Sequence, residues 1–304
     1  MRIELPLIKL EFTFRAIDEI VLPYYAGSAL RGVFGSTLRN VCCLSGKKDC
    51  TGCGLRATCP YSVIFESQSG EIGRSVNPYV IEPPLNENRT IKPGEIFRFS
   101  QIVFGDSIKS LSFILLSWTK GMQFGMGKSR SKAELVSVYQ KHPSGDIYIY
   151  GEDEDLMQPI NPVHTIDIPA ATNSITLHIQ TPLRIHRDGH PIKPDDLTVG
   201  DFVSSLIRRT ELLYKGHTQQ KCFMEDKVKL LEQAKKLEEV TRDLKWQDWT
   251  RWSGRQQTHI ALGGVVGKWT ISGDLQNLLP LLYAGELLHL GKSTVMGLGK
   301  YVIE

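Results

Sequence analysis

The sequence predicts an α+β protein of two tandem βαββαβ units, and three observations carry that prediction. Strand-like and helix-like segments alternate in the same order twice along the 304 residues. A Gly-x-Gly-Lys tetrad recurs after an apolar helix and before a strand in each half, at Gly125 to Lys128 and Gly297 to Lys300. Between the halves lies an acidic, proline-containing stretch. The length by itself fits two domains of ordinary size.

The first half opens with Leu7 to Ala16, where Leu10, Phe12 and Phe14 alternate with Lys9, Glu11 and Arg15, the period of a half-buried strand. Over Pro23 to Val41, Leu30, Phe34, Leu38 and Val41 recur at helical spacing. Strands are expected at Val76 to Ile81 and Ile96 to Phe104. A helix over Asp106 to Trp118 follows, capped by Asp106 and carrying Ile108, Leu111, Leu115 and Trp118 inward. Lys132 to Tyr139 completes the unit as a strand. The β-α-β-β-α-β order is that of a ferredoxin-like unit, with both helices on one face of an antiparallel sheet. The first domain is therefore placed at 1–142, a linker at 143–170 and the second domain at 171–304.

The second half repeats the plan with a strand at Ser174 to Ile185, a helix at Asp201 to Leu213, and strands between Thr258 and Ile271. A further helix is expected from Asp274 to Leu288 and a last strand at Lys300 to Ile303. Pro280 places the start of that helix near Asn277, because proline is tolerated in a first turn but not beyond it. Glu225 to Leu244 reads as an inserted, charged helical segment. An internal duplication explains why the glycines, the lysine, the preceding helix and the following strand recur together.

Charge is unevenly spread: +5 over 1–149, −5 over 150–199 and +3 over 200–304. Basic patches of this size bind phosphates only where they cluster, and otherwise form ordinary solvated surface. No run approaches the roughly 18 apolar residues of a membrane span, and the N-terminus lacks secretory features, so a cytoplasmic protein is expected.

In a reducing compartment the six cysteines are thiols or metal ligands before they are disulfides. Cys43, Cys50, Cys53 and Cys59 fall within seventeen positions, in a glycine-containing segment with few apolar residues. This pattern fits a tetrahedral zinc site of four thiolates that closes a coreless loop, with an iron–sulfur cluster as the alternative and Cys42 as a substitute for Cys43. With four positions filled by protein, the site is read as structural.

No Walker loop is present, since Met122, Leu262 and Glu286 stand where the first glycine is required before Gly127-Lys128, Gly267-Lys268 and Gly291-Lys292, and there is no dinucleotide loop. The C-terminal run is more telling: Trp249 to Gln257, Leu262 to Gly267, Leu279 to Leu282, and Gly285-Glu286-Leu287-Leu288-His289-Leu290-Gly291-Lys292-Ser293-Thr294-Val295-Met296-Gly297-Leu298-Gly299-Lys300-Tyr301. With Ala29 to Arg39, Cys59-Pro60-Tyr61 and Thr181 to Ile185, it resembles the CRISPR-associated Cas6 endoribonucleases of the RAMP superfamily. The resemblance implies two ferredoxin-like domains and RNA held against the loop 291–299. Gly291, Lys292, Gly297, Gly299, Lys300, Arg251 and Arg255 would contact it, with Gly125, Gly127, Lys128 and Arg130 as first-half counterparts.

It also implies recognition of CRISPR repeat RNA and cleavage that uses no metal or other cofactor. The ribose 2′-OH would attack the adjacent phosphate, leaving a 2′,3′-cyclic phosphate or 3′-phosphate and a 5′-OH. The alternative is a weak or inactive RAMP subunit that binds crRNA within an effector complex. Many family members use a histidine near the first helix, whereas here no histidine precedes His142. Tyr24, Ser28 and Arg31 share one helical face, where arginine suits phosphorane stabilisation better than base work. His289 has the right pKa for acid or base chemistry, although a histidine ending an apolar helix is more often structural. His186, His190 and His259 rank lower. Trp246, Trp249 and Trp252 are candidates for base stacking, with core packing the expected fate of at least two. Arg208 and Arg209 read as solvated.

Overall fold

The structure is a computed structural model that describes residues 2–47, 49–66, 76–85, 89–152, 157–169, 172–224, 226–253 and 258–304; side chains of 251–260 are outside the description. Along the chain, β1 (Arg2–Leu5), β2 (Leu7–Ala16) and the short β3 (Ile20–Val21) precede α1 (Gly27–Cys42) and α2 (Pro60–Phe65). Then come β4 (Tyr79–Glu82), the short β5 (Thr90–Ile91), β6 (Ile96–Phe104), α3 (Leu111–Phe124), β7 (Ala133–Lys141), β8 (Ile147–Gly151) and β9 (His164–Asp167). The second half holds β10 (Ser174–Leu183), β11 (His186–Arg187), β12 (His190–Pro191), α4 (Val199–His217), α5 (Lys227–Ala234) and β13 (Glu238–Gln247). It ends with β14 (Thr250–Ser253), β15 (Thr258–Ala261), β16 (Gly264–Ser272), α6 (Leu279–Leu288) and β17 (Tyr301–Ile303).

Two compact units form. The N-terminal unit comprises Pro6–His164 with Lys215–Gln219, and the C-terminal unit comprises Met1–Leu5, Thr165–Tyr214 and Gln220–Glu304. The stretch 143–170 is thus not a linker throughout: β8 is the outer strand of the N-terminal sheet, and β9 pairs with β1. Glu152 belongs to this structured region, where it accepts from Arg15 at 3.1 Å.

The N-terminal sheet has the order β4-β6-β2-β7-β8. Its central strand matches the alternation in the sequence, with Leu10, Phe12 and Phe14 buried. Those side chains meet the apolar stripes of α1 (Leu30, Phe34, Leu38) and α3 (Ile114, Trp118, Met122). Aromatic rings fill the space between: Phe34 stacks on Trp118 at 5.2 Å, Phe99 meets Trp118 at 4.5 Å and Phe12 stacks on Phe99 at 5.3 Å. The indole Nε1–H of Trp118 donates to Gln101 Oε1 at 2.6 Å, so the one polar atom of the ring is satisfied inside the core. The expected Asp106 cap is replaced by a 3-10 turn over Gly105–Ser110, and α3 starts five residues later with no side-chain cap.

The C-terminal sheet has the order β13-β16-β10-β17. In chain order its strands and main helices run β10, α4, β13, β16, α6, β17, as β2, α1, β4, β6, α3, β7 do in the first half. The strand following the first helix is an edge strand in both sheets. Leu177, Phe202, Leu206, Trp269, Leu282 and Tyr301 are among the residues of its core. Pro280 lies in the first turn of α6, as its missing N–H requires.

Glu225 to Leu244 is only partly helical. After α5, residues Glu238–Gln247 are strand β13, whose Leu244 and Trp246 pack against the core while most of the strand is exposed. The tryptophans three apart are consequently not on a helix: Trp246 is in β13, Trp249 lies between strands, and the side chain of Trp252 is outside the description. Among the described residues no helix is long and apolar enough to cross a membrane.

Candidate nucleic-acid interface

The loop after α6 is shaped from within. His289 ends the helix with φ +55°, Gly291 follows at φ +84°, and Ser293, Gly297 and Gly299 also take positive φ. A Cβ on Gly299 would stand 1.8 Å from the Leu290 carbonyl oxygen, so only glycine fits. The loop is closed by Leu290 N–H to Gly299 O (3.2 Å), Gly299 N–H to Pro182 O (3.1 Å) and Lys292 N–H to Arg184 O (3.0 Å). Thr181 adds a side-chain clasp, donating to Gly297 O at 2.9 Å and accepting from Lys300 N–H at 2.8 Å.

This closure changes the roles read from sequence. Gly297 and Gly299 are buried, and their N–H groups donate to Thr294 and Pro182. They serve loop geometry, their N–H groups being spent inside the loop. His289 is fully buried, its Nδ1–H donating to Leu298 O at 3.3 Å, so its ring braces the loop from inside and does not face a ligand. Lys292 is exposed and Lys300 half-buried at the two ends.

Arg209 also departs from expectation. It is 7% exposed, while Arg208 is exposed as read. Its Nε–H donates at 2.6 Å to Leu288 O, a carbonyl in the last turn of α6 that the helix itself cannot satisfy. Burial lowers its pKa to about 10, which leaves it charged at neutral pH, facing the negative end of the helix. The signal was present: Phe202, Leu206, Arg209 and Leu213 form an i, i+4, i+7, i+11 series, which places Arg209 in the buried stripe.

Beside Lys292, Arg184 leads into the hairpin of β11 and β12, turned by Asp188 (φ +51°) and Gly189 (φ +85°), an Asp-Gly pair suited to a two-residue turn. His186 is exposed on β11. Its pKa is lowered by partial burial and then by the charges of Lys292 and Arg184. Arg187 instead pairs with Asp201, which also accepts from Thr198 N–H at 3.1 Å in a reciprocal cap at the start of α4. The site thus gathers Arg184, His186 and Lys292 on one surface of the C-terminal unit.

In the N-terminal unit the corresponding loop is a tight turn closed by Met126 and Ser131, whose N–H and C=O groups bond reciprocally at 2.8 and 3.1 Å. Gly125 approaches Arg130 O so closely that a Cβ would be 2.1 Å away. Gly127, Lys128 and Arg130 are exposed at its tip.

Tyr24 and Arg31 are not displayed on one helical face. Tyr24 precedes α1 and is exposed, with the Arg89 guanidinium 5.2 Å from its ring centre. Arg31 is half-buried over Phe65, 4.3 Å from the ring centre, and its charge opposes the burial that lifts the Tyr79 phenol to about 12. Arg255 lies outside the described residues; Arg251 is in β14, but its side chain is not described.

Cys43, Cys50, Cys53 and Cys59 line one cavity of about 280 Å³, together with Cys42 and Phe113. The thiols of Cys43 and Cys53 both lie 3.7 Å from Ser45 Oγ. The Ser45 hydroxyl lowers Cys43, and the Leu55 backbone N–H followed by Ser45 lowers Cys53; burial raises Cys50, and raises Cys42 to about 11. The donor set suits a thiophilic metal, but among the described residues no three His, Cys, Asp or Glu side chains are gathered into a coordination shell.

Comparison with known proteins gives a consistent pattern. Residues 177–301 match the family described as CRISPR-associated endoribonuclease Cas6, and residues 5–162 match the N-terminal domain family AF_1859_N. An uncharacterized protein of Archaeoglobus fulgidus is 30% identical over 129 residues, which are 42% of this chain and 44% of that protein; the match spans less than half of the relative. A Cas6 product complex shares the fold at TM-score 0.60 and 15% identity, covering 98% of this chain and all of that one. Thermus thermophilus Cas6 follows at TM-score 0.55 and 13% identity over 99% of both chains. A partial Cas6-RT-Cas1–Cas2 complex aligns at TM-score 0.58 and 16% identity, over 98% of this chain and 46% of that one. The chain thus carries the AF_1859_N domain over residues 5–162, matches the CRISPR-associated Cas6 endoribonuclease family over residues 177–301, where the braced glycine loop lies, and shares the Cas6 fold over nearly its whole length.

Proposed function

We propose that this protein binds CRISPR repeat RNA and cleaves it without metal, by attack of a ribose 2′-OH on the adjacent phosphate, leaving 2′,3′-cyclic phosphate or 3′-phosphate and 5′-OH ends. The observation that carries the reading is the endoribonuclease family match over residues 177–301, which contains the Arg184, His186 and Lys292 cluster. Two ferredoxin-like halves, descended from one by duplication, carry the cationic loops. Cationic surfaces hold single strands and hairpins through their phosphates. Service to a CRISPR effector complex in the cytoplasm belongs to the same proposal.

The direct test is incubation with CRISPR repeat RNA from the host genome in EDTA, beside the same RNA with one 2′-deoxy sugar at the cut site. Cleavage of the ribose substrate alone is expected. Charge reversal at Lys292 and Lys300 is expected to weaken binding and make its salt dependence shallower, by about one unit of slope for each phosphate no longer neutralised. Unchanged affinity and slope would remove the loop from the interface.

A second reading, a crRNA-binding RAMP subunit without cleavage, is favoured by two observations: His289 is buried, and no histidine precedes His142. Tight, salt-sensitive binding with both RNAs intact is its signature.

For the cysteine loop we propose a structural zinc site formed by Cys43, Cys50, Cys53 and Cys59, or an iron–sulfur cluster on the same thiolates. The shared cavity supports it; drawing the four sulfurs together would order a loop that has little core. Metal analysis of protein prepared anaerobically under reducing conditions is expected to find stoichiometric metal. Cys50→Ser and Cys53→Ser should lower metal content and Tm together. A metal-free wild type would end this assignment.

A further inference from the structure

We propose that His186 is the general base of the cleavage step, with Arg184 and Lys292 holding the scissile phosphate beside it. This inference rests on the cleavage reading above.

The backbone brings Lys292 beside the segment of Arg184 and His186, more than a hundred residues earlier in the chain. Lys292 N–H donates to Arg184 O at 3.0 Å, which fastens the start of the glycine loop to the residue two before His186. The hairpin then holds the histidine: His186 pairs across it with Pro191, and Ile192 N–H donates to Ile185 O at 2.9 Å. Arg187 is engaged by Asp201 and the Arg184 guanidinium donates to the Ala261 carbonyl, while the charges of Lys292 and Arg184 bear most strongly on the imidazole. A phosphate placed between them would meet two positive groups and an imidazole at once, the combination that 2′-OH attack needs.

Apart from His190, across the hairpin from Arg187, the other histidines with described side chains are engaged or buried elsewhere. His178 pairs with Glu304 at 2.9 Å, His217 bonds to Val76 O at 2.7 Å, and His164 and His289 are buried. His142 bonds Ser144 at 2.7 Å.

The charge state suits a base. Partial burial, Lys292, Arg184 and, more weakly, His190 all disfavour the imidazolium, while a backbone hydrogen bond with Gly189 works the other way; the balance lies below the ordinary 6.5. At neutral pH the ring is therefore largely neutral and able to accept a proton. In the step, the 2′-OH proton passes to the imidazole, the O2′–P bond forms and the P–O5′ bond breaks. The 5′-oxygen takes a proton from solvent, and the imidazolium later returns its proton to solvent. No oxidant or co-reactant is consumed.

The test is single-turnover cleavage of CRISPR repeat RNA in EDTA by wild type, His186→Ala, His186→Gln and, as control, His178→Ala. The uncleavable 2′-deoxy RNA measures affinity separately and reports whether each variant is folded. Both His186 variants should lose about 100-fold or more in rate with affinity retained, as removal of a general base does. Added imidazole should partly restore His186→Ala. The wild-type rate should rise with pH through an inflection below 6.5 that both His186 variants lack, while His178→Ala keeps rate and inflection. A His186→Ala rate within about threefold of wild type, far from a general-base loss, overturns the assignment. So does a retained inflection. If wild type binds but does not cleave, the cleavage reading falls and this inference with it; if wild type cleaves and His186→Ala does too, only this inference falls.

Discussion

Gly299→Ala is expected to unseat the loop after α6 and destabilise the protein by roughly 3–5 kcal/mol, at the upper end of what single substitutions do. The residue has φ +70°, a conformation that costs an L-residue about 1–2 kcal/mol. The larger part comes from the methyl group, which would sit 1.8 Å from the Leu290 carbonyl oxygen. That carbonyl is backbone and cannot swing aside without disturbing Leu290, whose own N–H donates to Gly299 O. The strain would spread to the Pro182 contact and to the buried His289 ring. Gly127→Ala is the matched control: φ is +74° there, but the space around it is open, so only the backbone cost of about 1 kcal/mol is expected. Urea unfolding followed by far-UV circular dichroism separates them. A Gly299→Ala midpoint shift no larger than that of Gly127→Ala would show that the loop relaxes freely. Repeat-RNA affinity should fall with Gly299→Ala, because Lys292 and Lys300 stand at the two ends of the loop it deforms.

Trp118→Ala should cost about 3–5 kcal/mol through the cavity it opens between α1, α3 and the N-terminal sheet. The ring is fully buried and packs against Phe12, Phe34 and Phe99. Trp118→Phe isolates the polar part of the effect. It keeps most of the aromatic packing and strands Gln101 Oε1, a loss of about 1–3 kcal/mol for an unsatisfied buried acceptor. Adding Gln101→Leu to Trp118→Phe should recover part of that loss, and a strictly additive pair would show that the hydrogen bond contributes nothing. Because the chain has two compact units, the transition should be fitted without assuming a single step.

Regular elements were legible where one local period governs them. The alternation over Leu7 to Ala16 marked β2 to the residue, and Pro280 marked the first turn of α6. β13 was misread because it is an edge strand: charged residues cover much of it, so its run of exposed positions imitates a solvated helix. Arg209 was legible in principle, since its place in an apolar stripe outweighs its polarity. The surface proposed to face RNA was only half legible. Lys292 and Lys300 could be picked out beside glycines, but the role proposed for His186 depends on the charge of Lys292, more than a hundred residues away, and no local pattern carries such a juxtaposition. Conversely, the glycines that looked like phosphate cradles spend their N–H groups inside the loop, a fact that only tertiary hydrogen bonding reveals.

The pairing of β1 with β9 has a consequence for how the molecule is made. β1 belongs to the C-terminal unit, and after leaving the ribosome it finds its partner only when residues 164–167 emerge. At about 5–20 residues per second, the wait is roughly ten to thirty seconds. The N-terminal unit is incomplete for longer still, because it includes Lys215–Gln219, where His217 bonds to Val76 O. Each unit therefore borrows a short segment from the far side of the other in sequence. Neither can close during synthesis before the other is well under way, and the two halves are bound to a shared folding schedule although their sheets are separate.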